Sequence, residues 1–149
     1  MDSKFKSDGS IKYIYGFNPE TKLARPLIGT SVPAGFPSPA TDYIEGSLDL
    51  NEYLIQHKAS TFFVRAAGYS MINAGIGPDD ILIVDRALEA VHKRIVIAIV
   101  NGEFTVKRLR IENGEYWLAP ENDDYEPLKI EEDSAFTIWG VVTYVIHKV

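Results

Sequence analysis

Two Asn-Gly pairs, Asn101-Gly102 and Asn113-Gly114, constrain this chain more than any other feature. The first separates Arg94-Ile95-Val96-Ile97-Ala98-Ile99-Val100 from Glu103-Phe104-Thr105-Val106-Lys107-Arg108-Leu109-Arg110-Ile111; the second leads into Glu115-Tyr116-Trp117-Leu118-Ala119-Pro120. Asn-Gly accepts the positive φ angles of a two-residue hairpin turn, whose twist matches that of the flanking strands. Two such turns around β-branched runs predict a meander of three antiparallel strands. Thr61–Arg65, Ile81–Asp85 and Phe136–Ile146 read as further strands, with Gly140 marking a bulge or bend in the last. Gly77-Pro78-Asp79-Asp80 reads as a turn. One short helix is expected after Leu48: Asp49 is placed as N-cap, Glu52 three residues on, Leu48 and Tyr53 at the staple positions, and His57-Lys58 near the end. The fold class expected is therefore mainly β, in strongly bent antiparallel sheets with one short helix.

The first 31 residues are weakly patterned. Ile11–Tyr15 can make a short strand, but Gly16, Pro19, Pro26 and Gly29 interrupt the rest, so the segment is expected to be an extended N-terminal arm rather than a folded unit. At 149 residues the chain is expected to form one domain of ordinary size beyond that arm. No apolar run approaches the ~20 residues of a spanning helix, and no basic-then-apolar signal opens the chain, so no membrane association is expected. The absence of cysteine excludes disulfides and thiolate metal sites and fits a reducing cytoplasm. A net charge of −6 argues against nucleic acid as a direct ligand of the whole surface. Residues 1–34 carry five Lys/Arg against three Asp/Glu (+2), and the remainder ten against eighteen (−8).

Three local features bear on chemistry. Ala66-Ala67-Gly68-Tyr69-Ser70-Met71 follows a strand and allows a sharp turn that presents the Ser70 hydroxyl beside successive backbone N–H groups. Ser70 can also be a turn cap, the reading that these six residues by themselves favour. Lys107 falls on the same strand face as Thr105, Leu109 and Ile111, whereas Phe104, Val106, Arg108 and Arg110 fall on the other. An apolar face strips water from an ammonium and favours the neutral amine that a general base must be; the stem can also lie along the sheet while the ammonium reaches water. Ser31-Val32-Pro33-Ala34-Gly35-Phe36-Pro37-Ser38-Pro39-Ala40 is extended by its three prolines, with Ala34–Gly35 its least hindered bond, and can also be a plain linker. The three histidines, His57, His92 and His147, have no triad or ligand spacing.

Gly35-Phe36-Pro37-Ser38-Pro39-Ala40, Asp49-Leu50-Asn51, Gly68-Tyr69-Ser70-Met71, Ile81–Asp85 and Gly102–Lys107 occur in an order and spacing that closely resemble the UmuD-like proteins of the LexA-type self-cleaving Ser-Lys peptidases. The resemblance covers about residues 33–149. It implies a LexA/UmuD C-terminal type of β domain over 35–149, and an arm, 1–34, removed by self-cleavage at Ala34–Gly35. It also implies Ser70 as nucleophile, Lys107 as general base, and the backbone N–H groups of Ser70 and Met71 as oxyanion donors. No metal or cofactor is implied. The partners implied are a second copy in a homodimer, a RecA filament on single-stranded DNA that stimulates the cut, and a UmuC-type Y-family polymerase in SOS mutagenesis and translesion synthesis. A LexA-type repressor would need a DNA-binding domain before the cut, which 34 residues without a helix-turn-helix do not supply, so no sequence-specific DNA binding is expected. A non-catalytic β-domain binder would explain the strands but leave Ser70, Lys107 and Ala34–Gly35 unconnected.

Overall fold

Both Asn-Gly pairs turn as their chemistry dictates. In the computed structural model, which describes residues 5–17, 24–28 and 44–149, Asn101 and Gly102 have φ of 49° and 84°, and Asn113 and Gly114 have 53° and 76°. They join β7 (Ile95–Val100), β8 (Glu103–Glu112) and β9 (Glu115–Ala119) in the expected antiparallel meander. β5 (Thr61–Ala66), β6 (Ile81–Asp85) and β11 (Phe136–Ile146) are also where the patterning put them. The expected mainly β, strongly bent antiparallel architecture is what forms.

The described residues up to Phe17 join Ala59–Val149 in one compact unit, and those within Asn18–Lys58 form a second. In the first, β1 (Lys6–Ser7), β2 (Ile11–Gly16) and β10 (Leu128–Lys129) complete a sheet of order β10-β9-β8-β7-β11-β6-β5-β2, with β1 pairing in parallel with β8. The second contains the antiparallel pair β3 (Ala24–Ile28) and β4 (Ile44–Asp49), followed by α1 (Leu50–Leu54). Asp49 is the N-cap, its carboxylate accepting the Asn51 N–H at 2.9 Å. The helix stops at Leu54, short of the expected His57-Lys58, because Ile55 takes an extended conformation with φ −112° and ψ 107°. One turn of helix has too few propagating hydrogen bonds to hold a β-branched residue against its extended preference. The Pro-flanked segment, the Ala34–Gly35 bond and the 34/35 boundary lie outside the described residues.

The short strand read at Ile11–Tyr15 is present as β2, but the expectation of an extended arm apart from the folded unit needs correction over residues 5–17, which are part of the sheet. β2 pairs antiparallel with β5, and its Ile11 and Ile14 are buried in the core. β1 takes a gap along β8, which pairs with β7 from Glu103 to Arg108 and with β9 only from Arg108 to Glu112. Lys6 and Ser7 therefore align with Glu103 and Phe104 on the edge that β9 leaves open. A segment unable to bury its own apolar side chains is stabilised by edges supplied from far along the chain.

β8 feeds two apolar clusters, as its alternation predicts. Val106 packs with Val64, Leu82, Val84 and Ile97, whereas Leu109 packs with Val96, Ala98, Leu118 and Val141. Gly140 stands where the β11–β7 register shifts, the bulge its position suggested. A Cβ there would lie 2.5 Å from Val84 Cγ1 and 3.3 Å from Arg86 Cγ. Val84 is fully buried and β-branched, so it has little room to yield. Gly140→Ala is expected to cost about 1–3 kcal/mol, read as a lowered thermal midpoint.

Candidate active site

The backbone that carries Ser70 is held from several sides. β5 ends at Ala66, whose N–H donates to the Asp80 carbonyl at 2.8 Å, while its own carbonyl accepts from the Asp79 N–H at 3.0 Å. The Gly77–Asp80 turn is itself pinned by the buried Asp80 carboxylate, which accepts the Gly77 N–H at 2.7 Å and lies 2.6 Å from His147 Nδ1. Gly68 takes φ +70°, a conformation that strains other residues, and reverses the chain towards Ser70. Beyond it, Met71 is buried and opens a single 3-10 turn, Ile72–Ala74, closed by the Gly75 N–H on the Ile72 carbonyl at 3.0 Å. The Ser70 carbonyl accepts the Glu121 N–H at 2.8 Å, and the Tyr69 carbonyl accepts from Asn122 Nδ2 at 2.9 Å. Among the described residues the Ser70 hydroxyl caps no backbone N–H, and the N–H groups of Ser70 and Met71 donate no hydrogen bond.

Lys107 enters from β8, and both residues line one cleft of about 550 Å³. The turn Asp8-Gly9-Ser10 forms another wall, with Tyr69 and Tyr125 at its edge. The expectation of an apolar surrounding for Lys107 needs correction. Its stem is largely buried, but its ammonium donates to Asp8 Oδ2 at 3.1 Å, Thr105 Oγ1 at 2.8 Å and the Val106 carbonyl at 3.0 Å. The carboxylate comes from the segment expected to be an extended arm, so alternation within β8 did not reveal it. No hydrogen bond joins Lys107 Nζ to Ser70 Oγ among the described residues.

Asp8, Ser10 and Thr105 are the site residues that sequence reasoning missed. Asp8-Gly9 is a turn dipeptide just ahead of the Ile11 strand, and Thr105 shares the face of Lys107; those were the available signals. Asp8 Oδ1 accepts Ser10 Oγ–H at 2.5 Å and Ser10 N–H at 3.0 Å, and Oδ2 accepts Thr105 Oγ1–H at 2.6 Å. Burial pushes the Asp8 carboxyl up, but the Ser10 and Thr105 hydroxyls, the Lys107 ammonium and the Ser10 N–H outweigh it and hold it below the usual carboxylate range. Such a group stabilises the fold above its unfolded value of about 3.9, and that contribution is lost as pH falls through the lower folded value. Asp8→Asn is thus expected to lower the thermal midpoint at pH 7 by about 2–4 °C, a gap that closes in melts taken progressively below about pH 4.

Among the described residues no helix is long and apolar enough to cross a membrane. The peptidase S24-like family profile matches residues 26–143. The chain is 50% identical over 129 residues to protein ImpA of Salmonella typhimurium, covering 87% of this chain and 88% of ImpA. It is 44% identical over 114 residues to protein MucA of Escherichia coli, covering 76% and 77% of the two chains. It is 40% identical over 131 residues to the LexA repressor of Acidithiobacillus ferrooxidans, but spans only 63% of that protein. The family match supports a serine-peptidase kind of activity. Matched over most of its length by the family profile, and half identical to ImpA across nearly all of both chains, the chain belongs to the UmuD-like group of the peptidase S24-like family.

Proposed function

We propose that this protein is a self-cleaving serine peptidase of SOS mutagenesis, cutting its own Ala34–Gly35 bond with Ser70 and Lys107. The observation that carries the reading is the convergence, in one cleft, of a serine on a sharp turn and a lysine from a distant strand, with the backbone N–H groups of Ser70 and Met71 donating to no acceptor among the described residues. A neutral Lys107 takes the Ser70 proton as Ser70 Oγ bonds to the Ala34 carbonyl carbon, and the N–H groups of Ser70 and Met71 stabilise the oxyanion. The proton passes to the Gly35 nitrogen as the peptide bond breaks, and water then hydrolyses the Ala34 ester. A Pro-flanked segment, whose prolines disfavour helix, suits docking as a strand beside Ser70.

By likeness to its family, a RecA filament on single-stranded DNA stimulates the cut, through greater affinity for the docked conformer. The shortened chain acts as a homodimer with a UmuC-type Y-family polymerase in translesion synthesis, in the cytoplasm. The test is incubation of purified protein near pH 10, where a lysine loses its proton without a partner, followed by mass measurement of the products. Two fragments that meet at Ala34–Gly35 are expected. An intact chain, or a cut elsewhere, would sink the proposal.

A further inference from the structure

We infer that Asp8 is a positioning residue for Lys107: it holds the ammonium on the Asp8–Ser10 turn, and the amine serves Ser70 only once that ion pair is broken. The inference rests on the peptidase reading and adds to it a restraint supplied by residues 5–17.

The argument is one of donors and acceptors. A lysine ammonium has three N–H donors and no lone pair. Here three acceptors take all three: Asp8 Oδ2, Thr105 Oγ1 and the Val106 carbonyl, at 3.1, 2.8 and 3.0 Å. A neutral amine has two donors and one lone pair, and that lone pair must face the Ser70 hydroxyl to receive its proton. At least one of the three contacts is therefore given up in the reactive form. The Asp8 contact is the one whose attraction depends on the positive charge, so deprotonation and loss of the pair are linked.

Asp8 is built in rather than passing by. Its N–H donates to the Phe104 carbonyl at 3.1 Å, and its carboxylate holds Ser10 and Thr105 as well as Lys107. Ser10 then bonds to backbone on both sides of the candidate dyad, at Val106 on the lysine strand and at Ala67 ahead of the serine. Its hydroxyl accepts the Val106 N–H at 3.0 Å, next to the lysine, and its carbonyl accepts the Ala67 N–H at 2.8 Å, at the start of the serine turn. The other charged or titratable groups on the cleft are Glu103 on β8, Tyr69 in the serine turn, and Tyr125 and Glu126 in the loop after β9. β7 brings none, and Arg108 is paired with Glu121. Among the described residues Asp8 is the carboxylate in hydrogen-bond contact with Lys107. Release of Lys107 from Asp8 is the change that an activator has to favour.

Two readouts test this, one of them independent of cleavage. In Ser70→Ala protein, the reactivity of Lys107 towards limiting acetic anhydride at pH 8 is measured by peptide mass spectrometry against the exposed Lys148. Adding Asp8→Asn is expected to raise relative labelling of Lys107 by about three- to tenfold, because the neutral amine is the reactive form; Asp8→Glu, which keeps the charge, should stay close to the parent. With Ser70 present, Asp8→Asn is expected to move the pH of half-maximal self-cleavage down by about 1 unit. Circular dichroism at each pH confirms that the variants are folded. Unchanged Lys107 labelling in folded Asp8→Asn protein overturns the inference, as does raised labelling with an unmoved cleavage profile. If labelling rises but no protein cuts at any pH, the peptidase reading fails while the hold of Asp8 on Lys107 stands.

Discussion

Ser70→Ala protein is expected to remain intact at pH 10 under conditions in which the parent chain cuts itself to completion. In the proposed mechanism the Ser70 hydroxyl forms the new bond, and the other aliphatic hydroxyls on the cleft, those of Ser10 and Thr105, are held by the Asp8 carboxylate. Lys107→Ala should slow the cut by at least about 10³-fold, since a serine without a base loses most of the acceleration that a nucleophile-base pair supplies. Mass spectrometry over a time course reads both. The Lys107 variant carries a second expectation, because it leaves Asp8 without its cation. Its carboxylate keeps the Ser10 and Thr105 hydroxyls, so the variant should fold, with the acid sensitivity of the Asp8 network reduced. A Lys107→Ala protein that cuts at the parent rate would remove Lys107 from the mechanism.

Leu109→Ala is expected to produce the largest loss of stability among single truncations on the strand that carries the candidate base. Leu109 is fully buried two residues beyond Lys107, against Val96, Ala98, Leu118 and Val141. Removing three heavy atoms there loses their transfer free energy and leaves a cavity between strands that cannot easily close, about 2–5 kcal/mol together. For a chain of this size that lowers the thermal midpoint on the order of 10 °C. Leu109→Met, which conserves volume, should cost less than about 1.5 kcal/mol. A drop of only a degree or two in Leu109→Ala would mean that this cluster does not anchor β8.

The strands of the meander, β5, β6 and β11 were legible because their determinants are local. Asn-Gly pairs demand a hairpin geometry wherever they stand, and runs such as Ile81–Asp85 have little stability outside a buried strand. β1, β3, β4 and β10 were not legible. Lys6–Ser7 and Leu128–Lys129 are two residues long and have no pattern to read, and their pairing depends on edges left open by other strands. The N-terminal segment was misjudged for the same reason: composition reports what a segment can bury by itself, not what a distant strand offers it.

The candidate site divides along the same line. Sequence determined the Gly68–Met71 turn, through the positive φ that Gly68 alone accepts there, and the face on which Lys107 lies, through the two-residue repeat of a strand. Tertiary structure decided what that face meets. The Asp8 carboxylate reaches Lys107 across 99 residues of chain because β1 pairs with the open edge of β8, and the Ser10 carbonyl and hydroxyl then bridge the serine turn and the lysine strand. Charge pairing over that separation leaves no periodicity in the sequence, since an ion pair requires only that two ends meet and sets no spacing between them.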